Sequence, residues 1–138
     1  MTQCSNSAGA ASDPLVRICA YVLGGIWIFQ GLVPKLLGPH ADEIAMIRAV
    51  GVPLAYAPVI AHVSGLLEIG LGLCIILLRE KPLIYGLSSA TILGLSLLVV
   101  ASSASFLFGA FNAVTINAAM LALAAIAGIR LNEIGRAN

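Results

Sequence analysis

Charge is what this chain has least of. Asp, Glu, Lys and Arg make up 9% of its 138 residues, against about 25% in soluble domains. So few charges cannot cover a water-facing surface, which excludes an ordinary soluble domain. The net charge of +1 leaves no basic footprint for nucleic acid and no acidic one for a basic partner. Cysteine is sparse as well. Cys4, Cys19 and Cys74 form no CxxC pair and no set with histidine at metal-ligand spacing, so neither a dithiol nor a metal site is predicted. Cys19 and Cys74 lie in apolar runs, where a free thiol behaves as a small hydrophobe. There is no GxGxxG and no room for a dinucleotide-binding domain, and no haem or iron–sulfur ligand set. Ser, His and acidic residues occur at different depths without a nucleophile elbow, so no catalytic residue is assigned. Residues 1–13 lack the basic start and short apolar core of a signal peptide and read as a flexible polar tail.

Long apolar runs fill the rest. The chain is 60% hydrophobic, with a mean hydropathy of +1.05, and its length allows one domain, residues 14–138. Ser12-Asp13-Pro14 is a helix start: a capping side chain, then proline at the first helical position. A helix over about 15–33 reaches roughly 28 Å, enough to span a bilayer. Pro34 cannot donate to the Gln30 carbonyl, so the helix should kink or end there. Lys35 then reads in one of two ways: a lysine snorkelling at a capped end, or an ammonium facing a polar pocket. Between Gly38 and Pro53, Asp42 and Glu43 suit a first helical turn, and Ile44, Ile47 and Val50 recur at helical spacing with Arg48 off that stripe. This segment is too short to cross and is predicted to lie in the interface.

The second spanning helix is predicted over about 58–78, with Glu68 at its centre. Pro82 to Ile129 then runs for 48 residues without a charge. As a single helix it would reach about 72 Å, so it must fold back. Ser102-Ser103-Ala104-Ser105 and Gly109 mark the reversal, leaving helices near 83–101 and 111–131. The predicted fold is all-α: an integral membrane four-helix bundle with a short interfacial helix between the first two spans.

Small residues mark the packing faces. Ala20, Gly24, Trp27, Gly31 and Lys35 share one face of the first helix; Ala61, Ser64, Gly65, Glu68 and Gly72 share one face of the second. Ser89, Ser96 and Ser103, with Gly86, suggest a polar, small stripe on the third, and Asn117, Leu121, Ala124 and Gly128 a face on the fourth. Arg17, Arg79, Lys81, Arg130 and Arg136 fall on one side, Lys35 and Arg48 on the other. Five against two puts both termini in the cytoplasm by the positive-inside rule.

Trp27, the block Gly31-Leu32-Val33-Pro34-Lys35-Leu36, Glu43, Gly51, and Gly65 with Glu68 and Gly72 resemble the DoxX-like family of small bacterial membrane proteins. The likeness is closest to the branch also found fused behind NAD-dependent epimerase-type domains. It implies a four-helix bundle in the cytoplasmic membrane. Relatives of that name are associated with a quinol oxidase and with thiosulfate:quinone oxidoreductase, so the resemblance implies quinone as a ligand and a membrane or soluble redox partner. It supports the fold more than any catalysis.

An acid inside an apolar span is costly, about 3 kcal/mol at mid-bilayer on insertion scales, and reads as functional by default. When the helix midpoints are aligned, Glu68 lies near the midplane, with Gln30, His62 and Asn117 about 6–9 Å toward the outer side. That bias predicts a pocket opening outward with Glu68 at its floor. The candidate lining is Trp27, Gln30, Lys35, Glu68 and Asn117, with His62, Ser64 and Ser103 in second rank. His62 points about 120° away from Glu68, so the two are not expected to pair. Lys35 is placed too far outward to reach Glu68, which is then expected to be protonated unless Lys35 or a bound cation does reach it. The alternative for every polar side chain is a bond to neighbouring backbone or hydroxyl that simply holds the bundle. Three functions compete: a subunit or small-molecule site for quinone-linked chemistry, a proton-coupled carrier of lipophilic solutes, and a structural membrane subunit, with self-association open in each.

Overall fold

The computed structural model describes residues 13–38, 40–102 and 113–137. Residues 1–12 of the predicted tail and the predicted reversal from Ser103 onward lie outside them, while Asp13 and Ser102 fall within. The described residues form α1 (Pro14–Gly31), a five-residue π-helical segment (Leu32–Leu36), α2 (Ala41–Ala49), α3 (Ala57–Leu77), α4 (Pro82–Ser102) and α5 (Ala113–Ala137).

Local chemistry sets the ends. Asp13 Oδ1 accepts from the N–H groups of Leu15 and Val16 at 3.0 and 3.1 Å, which satisfies two of the orphan donors of α1. In α2, Asp42 and Glu43 occupy the first turn and Arg48 the last, each favourable to the helix dipole. Gly51, at φ 91°, follows α2 in a conformation that residues with a side chain rarely adopt. α5 runs to Ala137, past the end expected at Leu131. Beyond its apolar run, Arg130 pairs with Glu133 one turn on, at 3.1 Å, a small helix-stabilising contact. Arg130 also meets Asp13 at 3.0 Å, tying the end of α5 to the start of α1.

Among the described residues, four stretches are long and apolar enough to cross a membrane: Pro14–Leu36, Ala57–Leu77, Pro82–Val100 and Val114–Ala137. Their outward faces carry Phe29, Leu67, Leu77, Leu83 and Leu97, all well exposed. So much exposed apolar surface around a bundle is what lipid covers, not water. The protein is a multi-pass membrane bundle.

α1 is its centre, packed along α3 on one side and α5 on the other, while α4 closes against α5. Two adjoining stripes of α1 do different work. Val16, Cys19, Leu23 and Trp27 enter a side-chain core with Tyr85, Ile92, Met120 and Ala124. Gly24 and Gly31 instead meet Gly72 and Gly65 of α3. A methyl added to Gly65 would stand 2.7 Å from the Gly31 carbonyl oxygen, and one on Gly72 would stand 2.6 Å from that of Gly24. The backbones therefore touch, which only glycine permits. Both pairs are seven residues apart, the spacing that keeps one face aligned between helices coiled left-handedly.

The α4 expectation needs correcting. Its buried stripe is Ile84, Tyr85, Ser88 and Ile92; Gly86 is exposed and Ser89 only half-buried. A run apolar on all sides carries little periodicity to show which face turns inward, and the face is chosen by Trp27, whose indole N–H donates to the Ser88 hydroxyl at 2.9 Å.

Candidate functional site

Pro34 starts the site. Without an N–H it cannot close the α-helical bond to the Gln30 carbonyl, and the chain widens into the π segment, where the Leu37 N–H reaches the Leu32 carbonyl five residues back at 2.9 Å. Such widened turns often occur at functional positions. This one delivers Lys35 inward, with 7% of its surface exposed. The ammonium donates to Glu68 Oε1 at 2.5 Å, and Glu43 Oε1 of α2 stands 3.5 Å from it. One cation is thus held between two carboxylates inside the bundle. Of the two readings of Lys35, the snorkelling one is set aside.

The expectation that Lys35 cannot reach Glu68 is overturned, for two reasons. Pairing Gly31 with Gly65 and Gly24 with Gly72 sets Glu68 opposite Ile28, about one helical turn from where aligned midpoints put it. Side chains also lean toward the N-terminus of their own helix. In an antiparallel pair, Lys35 and Glu68 therefore lean toward each other and close the remaining gap. Glu68 does have a cation at its depth.

The other expected residues have separate partners. Trp27 bonds Ser88, as above. The Gln30 amide donates to the Met120 sulfur at 3.7 Å. The Asn117 amide donates to Ser96 Oγ at 2.8 Å, and that hydroxyl donates in turn to the Ile92 carbonyl at 2.8 Å. His62 Nδ1 lies 2.6 Å from the Pro58 carbonyl, and Ser64 donates to the Ala61 carbonyl at 2.9 Å. His62 and Glu68 do not pair, as their angular separation predicted. A groove of about 640 Å³ between α1 and α5 is lined by Tyr21, Phe29, Gln30 and Ile116, but neither Lys35 nor Glu68 borders it. The predicted lining is therefore divided: Lys35 and Glu68 meet, while Trp27, Gln30 and Asn117 are bonded to α4 and α5.

Sequence reasoning missed Glu43 as a member of the site. Its signal was an acid following the lone lysine of that side by two turns' worth of chain, on a segment the turn at Gly38 could fold back. It missed Ser88 for want of periodicity in α4.

Chemically, the cluster is a hydrogen-bonded ion site in apolar surroundings. Two carboxylates around one ammonium leave an excess of acceptors, and Glu68 Oε2 is buried with no hydrogen-bond partner among the described residues. Such an atom calls for an explanation, because leaving it unbonded costs about 1–3 kcal/mol or more.

Four apolar helices around a buried ion cluster define the class: a small multi-pass membrane protein with a polar centre. The chain belongs to the DoxX-like family, whose model matches residues 24–125, a stretch that contains Lys35, Glu43, Glu68 and all four paired glycines. Comparison with curated proteins and with solved structures finds no match.

Proposed function

We propose that this chain is a small-molecule-binding subunit of the bacterial cytoplasmic membrane that serves quinone-linked redox chemistry, with electron transfer carried out by a membrane or soluble partner. The observation that carries this reading is the Lys35 ammonium held between Glu68 and Glu43 within the bundle. Buried ionisable groups in membrane helices are expensive and mark ligand or proton paths, and a quinone combines an apolar body with a polar head that an ammonium can bond. Purification in discs of native lipid, followed by extraction and mass spectrometry, should recover quinone, in its oxidised or reduced form, in near-stoichiometric amount. Its repeated absence from a monodisperse bundle overturns the proposal.

The second reading, a proton-coupled carrier, needs an acid free to exchange its proton for a cationic solute; Lys35 already stands where that solute would bind. A purely structural subunit would instead show a defined partner and no loss of function in Glu68→Gln. The proposal includes both termini on the cytoplasmic side. An impermeant maleimide should then label Cys4 only in permeabilised cells, once Cys19 and Cys74 have been replaced; labelling of intact cells reverses the orientation.

A further inference from the structure

The hydrogen-bond valence of the cluster narrows the ligand. Glu68 is 5% exposed; its Oε1 takes the Lys35 ammonium, while its Oε2 is buried and unpartnered among the described residues. An ionised carboxylate only accepts, whereas an ammonium only donates and has three N–H groups. Lys35 uses one of them on Glu68, with Glu43 nearby at 3.5 Å. At Glu68 Oε2 the site therefore still offers a buried acceptor beside a cationic donor. The two oxygens of a carboxylate share a carbon, so an oxygen atom lodged on the side of Oε2 that faces Lys35 comes within reach of the same ammonium.

A ligand carbonyl can meet the ammonium but not Oε2. A hydroxyl can do both, donating to Oε2 while accepting from Lys35. We infer that the molecule received at this cluster presents a hydroxyl to Glu68 Oε2, as a phenol, hydroquinone or lipid alcohol does, and not a head made only of carbonyl or ether oxygens. The inference rests on the reading above that the cluster receives the polar end of a lipophilic molecule.

The test uses the full chain in lipid nanodiscs and four probes: an alkylhydroquinone, its dimethyl ether, the corresponding alkylquinone, and a fatty alcohol of matched length. Hydrogen bonds to charged groups are worth about tenfold or more in affinity. The hydroquinone should therefore bind about tenfold tighter than its ether and than the quinone, and Glu68→Gln should erase that preference. The ether comparison needs no variant and so stands even if Glu68→Gln does not fold. Binding of the fatty alcohol with the same Glu68 dependence identifies the hydroxyl alone as the recognised group; its failure to bind assigns recognition to the aromatic hydroxyl. Equal binding of hydroquinone, ether and quinone overturns the inference and leaves the proposed function standing. No binding by any probe to a monodisperse protein overturns both. A preference that survives in folded Glu68→Gln sends the hydroxyl elsewhere and also overturns the inference.

Discussion

α1 has two sides, and they pack differently. Toward α3 the contact is backbone on backbone, through Gly24, Gly31, Gly65 and Gly72, and it ends in the ion cluster of Lys35, Glu68 and Glu43. Toward α4 and α5 it is side chain on side chain, with Trp27, Leu23, Met120 and Tyr85, and its polar bonds are neutral. The two contacts fail in different ways. A side-chain core can shift rotamers to absorb a change, whereas touching backbones have nothing to move. A neutral bond in a membrane interior is worth about 0.6 kcal/mol, but a buried charge stripped of its partner costs several times that. Rigidity and charge therefore sit together on the α3 side, which is where a site needing fixed geometry is best supported.

The sharpest way to break that side is Lys35→Met. It leaves Glu68 and Glu43 buried without a cation and should cost about 3–5 kcal/mol, read by equilibrium unfolding in mixed detergent. A loss under about 1 kcal/mol means the carboxylates were not relying on Lys35. Glu68→Gln is milder, about 1–3 kcal/mol, because Glu43 remains to accompany Lys35 while the amide forfeits a charged hydrogen bond. An unchanged melting temperature, as a lone protonated acid would give, contradicts the ion pair.

Glycine substitutions separate the seam from the helix that carries it. Gly31→Ala drives a methyl into the α3 backbone and should cost about 1–3 kcal/mol. Gly25→Ala, one face away with open space around it, should be neutral or slightly stabilising, since alanine is the better helix former. Similar losses for the two would mean the seam is not a backbone contact.

On the opposite side, Trp27→Phe removes the indole donor to Ser88 and should cost only about 0.6–1.7 kcal/mol. A loss as large as that of Lys35→Met erases the contrast between the two sides.

The smallest effect is outside the membrane. The Val16 N–H, foremost, and the Arg130 guanidinium hold the Asp13 carboxyl below its ordinary value of 3.8. With the folded value below the unfolded one, Asp13 contributes stability above pH 3.8, which is lost as pH falls through the folded value. Asp13→Asn should flatten the acid limb of the melting temperature and leave neutral pH little changed. An unaltered acid limb shows that the cap and the Arg130 tie do not titrate.

How much was legible can be read from particular residues. The spans were, because apolar length alone decides whether a helix can cross, and Pro14, Pro82 and the charged turn at Arg79-Glu80-Lys81 punctuate them. The small-residue faces of α1 and α3 were, because glycine at seven-residue spacing has no better reason to recur on one face. Pro34 announced a break, though not its form. The sequence by itself determined four apolar helices, their order, and an acid at the centre of one of them, read as lacking a partner within reach. Only the tertiary structure decided that Glu68 has a partner, and which one. Contact between Lys35, Glu68 and Glu43 depends on a stagger of about one turn between α1 and α3, on side chains leaning toward each other in an antiparallel pair, and on α2 folding back against α3. None of these is a property of any one segment: stagger is set where two backbones can touch, and that is settled only when the helices meet.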